Sequence, residues 1–240
     1  MTSVNHFKLS LIIPCFNESQ NIPYLFDQLH EIQKNCQIEV ILVNNGSTDG
    51  SQSIIEENKF KIKNLKILNI KNNIGFGNGV KQGILNSSNE LVCYTHGDLQ
   101  VNLKYIVEAL NLIKHQKNKN IFIKAIRKNR GLIDIFFTTL MSIYNSIIFF
   151  EYLFDIHSQP NMFFKPDKKI ILEAPDDMLI DLYFYAYFKK KKFIIHRFNV
   201  YFEMRRFGEG TNEKISKKIK YSIYSLKKSI KILKDLNKIF

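Results

Sequence analysis

Acidic residues are scarce in this 240-residue chain: 22 stand against 35 lysines and arginines, a formal net charge of +13. The imbalance points to an anionic partner: a nucleotide, a phospholipid headgroup, a phosphorylated substrate or nucleic acid. Cysteine is also sparse. Cys15, Cys36 and Cys93 are scattered and odd in number, without zinc spacing, and two fall in predicted strands. Core thiols in a reducing compartment are expected from them, not disulfides or metal ligands. The longest charge-free run, Ile135 to Phe150, is shorter than the roughly 18–20 residues of a membrane span and is interrupted by Thr138, Thr139, Ser142, Asn145 and Ser146. No transmembrane helix is expected. The polar start up to Lys8, followed by a brief apolar stretch, gives no signal peptide. A full Gly-x-Gly-x-x-Gly with its downstream acid is missing, as is a Gly-Lys-Ser/Thr loop, which argues against a dinucleotide dehydrogenase and a P-loop NTPase. No nucleic-acid-binding motif is present and the lysines crowd into one tail, so nucleic acid is set aside as a partner.

What is present is a regular alternation. An apolar content of 45% suits one large globular domain. Leu9 to Ile13 reads as a buried strand ended by Pro14, and Asn17-Glu18-Ser19 leads to a helix with Pro23 in its first turn, running to about Lys34. Ile38 to Val43 is a second strand, followed by the turn Asn44 to Asp49 and a short helix with Ile54 and Ile55. Leu65 to Ile70 is a third, and the glycine-rich loop Asn72 to Gly79 opens a helix through Val80 and Ile84. Leu91 to Cys93 is a fourth strand, stopping at Thr95-His96-Gly97-Asp98, with Asn102 placed to cap the next helix. Strand, polar turn and helix thus repeat four times. The expected fold is α/β, with a mostly parallel central sheet, helices on both faces, and the polar turns along one sheet edge where ligands bind.

The later chain is less regular. Ile121 to Ile126 reads as a strand ending near Arg127 and Arg130, and Leu132 to Phe154 as a long apolar helix with a narrow polar stripe of Asp134, Thr138, Ser142 and Asn145. A short strand at Pro160 to Lys165, a helix over Met178 to Phe188 carrying Asp181, and a last strand at Phe193 to Phe202 follow. The tail from Glu213 is a basic amphipathic helix, with Ile215, Ile219, Ile223, Leu226, Ile230 and Leu233 on one stripe. It holds nine lysines against two acids.

Four of the turns, in order, resemble a known family. Leu11-Ile-Ile-Pro-Cys-Phe-Asn-Glu18 resembles the opening strand and turn of the GT-A glycosyltransferases of family 2. Val43 to Asp49 is similar to their second nucleotide-binding turn, and Asn72 to Gly83 to the following glycine-rich helix entry. Thr95-His-Gly-Asp-Leu-Gln100 is similar to the Asp-Ala-Asp-Leu-Gln metal motif of the polyprenyl-phosphate branch, which includes the dolichol-phosphate mannosyltransferases. His96 stands where that motif has its first carboxylate.

The resemblance implies a GT-A domain over residues 1–210, with a nucleotide-sugar half at 1–115, an acceptor half at 116–210 and a basic helix at 211–240. It implies Pro14, Asn17, Glu18, Asn44, Asn45, Asp49, Gly75 and His96 around the donor. Asp98 and, more weakly, Gln100 would hold Mg2+ or Mn2+, which favour oxygen ligands and leave positions for phosphate. Arg205, with Gly208 and Gly210, resembles a loop closing over the site, and Arg127, Arg130 and Arg205 suit an acceptor phosphate. The expected activity is inverting transfer of a sugar from a nucleotide diphosphate to a polyprenyl phosphate, with the protein peripheral on an anionic membrane surface at the cytoplasmic face. A saccharide hydroxyl acceptor would instead need a base, for which Asp181 or Asp155 is the candidate. A silent nucleotide-sugar-binding protein is the remaining alternative, motivated by His96 and Asn44. The sugar, the base and the oligomeric state are left open.

Overall fold

The computed structural model describes residues 7–114, 116, 118–208 and 214–240. Gly210, expected in the closing loop, and Glu213, expected to start the tail, lie outside the described residues. Seven strands form one sheet: β1 (Leu9–Cys15), β2 (Ile38–Asn45), β3 (Leu65–Ile70), β4 (Leu91–Tyr94), β5 (Ile121–Lys128), β6 (Asn161–Phe164) and β7 (Ile194–Tyr201). Their order across the sheet is β3-β2-β1-β4-β6-β5-β7. β1 to β4 pair in parallel and β7 pairs parallel with β5, whereas β6 runs antiparallel to both β4 and β5.

Every residue of β1 and β2 is buried, as expected of parallel strands covered on both faces. One face is covered by α1 (Ile22–Asn35), α2 (Ser51–Asn58) and α4 (Lys104–Lys114). On α1, Ile22, Leu25, Phe26, Leu29 and Ile32 recur at helical spacing and are buried, with Pro in the first turn; each such side chain contributes about 1.5–3 kcal/mol. The Asn102 carboxamide oxygen accepts the Lys104 amide at 2.9 Å and so opens α4 as expected. The opposite face is covered by α3 (Phe76–Leu85), α6 (Lys168–Glu173), α7 (Ile180–Lys190), the end of α5 (Leu132–Phe149) and the end of α8 (Ile215–Asn237).

One expectation shifts here. The helix expected to reach Phe154 ends at Phe149, because Phe150 turns left-handed (φ 53°) and the Glu151 amide bonds back to Ser146. The tail helix packs along α5 and α7, with Ser225, Ser229, Ile232 and Leu236 as its buried side. Of its expected apolar stripe, Ile215, Ile219, Ile223, Leu226 and Ile230 are exposed and Leu233 is half-buried against the core.

Candidate active site

The parallel strands all deliver their C-terminal ends to one edge, and the turns that follow are tied to one another. Asn17 adopts a left-handed backbone (φ 54°), a conformation asparagine tolerates. Its amide donates to Ser47 Oγ at 3.1 Å and its side-chain oxygen accepts the Thr48 amide at 2.8 Å. Asp49 accepts the amides of Ser19 (3.1 Å) and Ser51 (2.9 Å). Burial acts to raise the Asp49 carboxyl, but these donors win and hold it below the ordinary carboxylate range. The turns after β1 and β2 therefore form one cross-linked rim.

Glu18, Asp98 and Arg205 meet at the centre of this edge, although they lie far apart in sequence. Arg205 ion-pairs with Glu18, approaches Asp98 Oδ2 at 3.7 Å, and is braced by the Phe207 carbonyl at 3.0 Å. Glu18 is buried, and loss of hydration raises its carboxyl despite the opposing Asn21 and Arg205 contacts. Phe207 stacks on Tyr24 at 5.8 Å and Arg206 lies 4.5 Å over the same ring. The segment after β7 is thereby folded over the donor rim. Tyr24 and Phe207 were not legible as site residues; their pairing depends on how that segment returns.

Asp98 projects from the turn after β4, where its Oδ1 accepts the Gln100 amide at 3.1 Å. Gly97 precedes it for a steric reason: a Cβ there would fall 2.6 Å from Cys15 Sγ. His96 lies against Phe76, ring centroids 4.5 Å apart and planes 30° apart. Burial pushes its pKa down, against the pull of Asp98 and Asp181. The imidazole is thus neutral at neutral pH and retains a nitrogen lone pair. Among the described residues, no group of three or more His, Cys, Asp or Glu is placed to hold a metal. Asp98 is the carboxylate this turn offers to a divalent cation, whose remaining positions substrate phosphate oxygens would fill.

Several residues expected at the ligand are otherwise engaged. Pro14 packs beneath α3, where a Cβ on Gly79 would come within 2.9 Å of its ring. Asn44 is buried and bonds to Asn69 (3.2 Å) and the Ser47 amide (3.2 Å), closing its own turn. Asn45 donates to Asn73 and the Gly75 carbonyl, leaving its buried side-chain oxygen without a protein partner. Gly75, expected at the donor, has a packing reason to be glycine: its φ is 131° and a Cβ would sit 2.3 Å from the Asp176 carbonyl oxygen. Gln100 sends its side-chain amide to the Glu203 carbonyl at 3.3 Å, so it pins the segment after β7.

The residues expected on the acceptor side are likewise engaged within the protein. Arg127 is spent on Asp155: its amide reaches Oδ2 at 2.8 Å and its Nε reaches Oδ1 at 3.0 Å. Arg130 donates to Thr138 at 2.6 Å, and burial beside Arg127 pushes its pKa down to about 10. Both guanidiniums lie over the Phe202 ring. Asp181, a candidate base, is fully buried beneath the site. It accepts from Tyr94 (2.7 Å), Asn161 (3.0 Å) and Gln159 (3.3 Å), and faces His157 Nδ1 at 3.4 Å. Burial works to raise this carboxyl, but His157, Lys124 and Tyr94 hold it below the ordinary range.

Lys124 completes this polar core and was missed, although a lone lysine inside the apolar run Ile121 to Ile126 was the visible signal. It is fully buried, donating to the Ser158 carbonyl (2.9 Å) and Asn161 Oδ1 (3.0 Å), so Asn161 bridges it to Asp181. Burial pushes its pKa down to about 7. Since the unfolded value lies near 10.4, the unfolded chain binds the extra proton between those limits. The stability of the wild type relative to Lys124→Met should therefore rise as pH climbs through that window, as urea melts of the two would show.

The comparisons agree with this architecture. The family model described as "Glycosyl transferase family 2" matches residues 10–177, and the chain belongs to that family. A dolichyl-phosphate beta-glucosyltransferase of Trichomonas vaginalis is 30% identical over 96 residues, 37% of this chain and 28% of that protein. A bactoprenol glucosyl transferase of Shigella phage SfV is 30% identical over 95 residues, 39% of this chain and 31% of that protein. The match thus spans less than a third of each relative's length. Among solved structures, glucosyl-3-phosphoglycerate synthase from Mycobacterium tuberculosis, in complex with Mn2+, UDP-glucose and phosphoglyceric acid, superposes with a TM-score of 0.69. It covers 93% of this chain and 80% of its own, at 12% identity, a likeness of fold. The fold is GT-A.

Proposed function

We propose that this chain is an inverting glycosyltransferase that moves a sugar from a nucleotide diphosphate to a polyprenyl phosphate. The relatives' names carry the substrate class, and one observation in the site favours it over a saccharide hydroxyl. A hydroxyl acceptor must lose a proton in the transition state, whereas a polyprenyl phosphate arrives already anionic. The two carboxylates on the acceptor side that would serve as bases are both closed: Asp155 is held by Arg127 and Asp181 by its ring of donors. An anionic acceptor asks nothing of them. Asp181 in this reading is a positioning residue, fixing Tyr94 at the end of β4 two positions before His96.

In this reading the rim built by Asn17, Glu18, Asp49 and their partners receives the nucleoside, and Asp98 stands at the diphosphate with His96 beside it. Mg2+ or Mn2+, held by Asp98 and phosphate oxygens, would neutralise the charge that develops on the leaving diphosphate. Arg205, paired with Glu18 and 3.7 Å from Asp98, is the cation this reading assigns to the phosphates. A phosphate oxygen of the acceptor attacks the anomeric carbon as the bond to the nucleotide diphosphate breaks, which inverts the centre and releases the nucleoside diphosphate. The lysine-rich α8 fits a peripheral place on the cytoplasmic membrane face.

Labelled sugar from a panel of UDP-, GDP- and dTDP-sugars, supplied with polyprenyl phosphate and Mn2+, is expected in an alkali-stable, acid-labile lipid fraction. Transfer to soluble saccharides without that lipid product would overturn the acceptor. The productive donor should also raise the melting temperature, because it binds only the folded chain. Donor binding without transfer to any acceptor would leave a nucleotide-sugar-binding protein.

A further inference from the structure

α5 is built inside out. Its polar stripe faces the protein: Ser142 and Asn145 are buried, Thr138 accepts from Arg130, and Asp134 pairs with Lys218 of α8. On the opposite side Leu132, Phe136, Leu140, Ile143 and Ile147 recur every three or four residues, and they are 86%, 63%, 42%, 55% and 67% exposed. α8 repeats the arrangement, burying Ser225 and Ser229 while its isoleucine stripe faces out. A surface helix of a water-soluble domain turns its apolar stripe inward. These two adjacent helices bury Met141, Phe149, Ile232 and Leu236 but turn the rest of their apolar side chains outward, and they meet through the Asp134–Lys218 pair and the Tyr144 hydroxyl on the Ser222 carbonyl. Outward apolar faces with polar contacts between the helices suit contact with lipid.

The charge on this face says which partner it fits. At helical spacing, Lys220, Lys227, Lys231 and Lys234 follow along the far edge of the α8 stripe, all exposed. An apolar stripe edged by lysines is the pattern of a helix lying in the headgroup layer of an anionic bilayer. A second copy of the chain seated on the same face would instead bring two lysine rows together.

We propose that the outer faces of α5 and α8 together form a docking surface for an anionic phospholipid bilayer, with both helices lying in the membrane plane. α5 is long and apolar enough to cross a membrane by length and composition, but its inner stripe ties it to the domain. Ser142 Oγ accepts the Asp155 amide at 3.2 Å and Thr138 accepts from Arg130. A spanning α5 would strip these groups of their partners in hydrocarbon. Because Arg130 stands at the end of β5 and binds the first turns of α5, docking sets the acceptor side of the sheet edge at headgroup depth. In that last respect the inference rests on the lipid-phosphate reading, which it deepens by naming the acceptor's route of entry.

The sequence contains no tryptophan, so one introduced indole reports its surroundings without background. Ile147→Trp and Phe136→Trp probe the proposed face; Phe60→Trp, 85% exposed beside the other core layer, is the control. The probes are phosphatidylcholine vesicles with and without phosphatidylglycerol, carrying brominated acyl chains. With phosphatidylglycerol present, the first two variants should show blue-shifted emission and bromine quenching, and the control neither. Lys227→Gln and Lys231→Gln should each weaken partitioning about fivefold. Failure to bind anionic vesicles, or binding without quenching at 136 and 147, overturns the proposal. So does a blue shift that grows with protein concentration in the absence of vesicles, which would assign the face to a second copy. A donor-induced thermal shift surviving any of these outcomes would keep the nucleotide-sugar reading intact, so the two failures are told apart.

Discussion

Asp98→Ala is expected to lower kcat/KM by about 10²–10³-fold, the scale on which removing a preorganised charge-stabilising group acts. The same change should abolish the Mn2+-dependent part of the donor's thermal shift. Stability should hardly change, because the side chain receives one amide at 3.1 Å and stands 3.7 Å from Arg205. The argument rests on position. Asp98 is the carboxylate at the end of the central strand β4, among turns whose other acids are committed: Asp49 to two amides and Glu18 to Asn21 and Arg205. Asp98→Asn separates charge from shape, and is expected to lose the metal dependence while keeping the bond from the Gln100 amide. Retention of turnover in Asp98→Ala at saturating Mn2+ would remove this residue from the chemistry.

The second large effect is on folding. Asp181→Ala is expected to destabilise the domain by about 3–5 kcal/mol, the cost of removing one partner from a buried ionic arrangement. For a chain of this size that lowers the melting temperature by roughly 2–4 °C for each kcal/mol. The loss has several sources: the Tyr94 hydroxyl, Asn161 and Gln159 lose their acceptor, and Lys124 loses the nearby negative charge. The folded carboxyl lies below its unfolded value, so its contribution is complete above the unfolded pKa and disappears as pH falls through the folded one. Acid melts of wild type and Asp181→Ala should therefore begin to draw together as pH falls below about 4. Were Asp181 the proton acceptor for a hydroxyl substrate, Asp181→Asn would abolish transfer beyond what its loss of folded protein explains.

The strands were legible because continuous apolar runs ended by turn residues have few alternatives. Leu65 to Ile70 was read with its observed bounds, and Leu9 and Ile38 open β1 and β2 as expected. The rim was legible for a similar reason: Asn17, Glu18, Asp49 and Asp98 all follow strand ends, and a parallel sheet collects strand ends on one edge. What the sequence did not disclose was how side chains from distant elements pair. Arg127 reads as a free phosphate ligand until Asp155 is placed beside it, and Asp181 reads as a base until Tyr94, Gln159 and Asn161 surround it. Periodicity likewise marks the apolar stripes of α5 and α8 without saying which way they point. For both helices the direction is set by polar partners on other elements: Arg130 and the Asp155 backbone for α5, Asp134 and His157 for α8.

β6 runs against its neighbours and stands between β4 and β5. The first four strands, which carry the cross-linked rim, therefore end on a strand whose outer edge, among the described residues, is closed by Asn161–Phe164 from the second half of the chain. A fragment cut after α4 would expose that edge as a row of unpaired amides and carbonyls, a template for recruiting other chains. The first four strands are therefore not a separable unit: the open edge of β4 is covered by four residues from the second half of the chain.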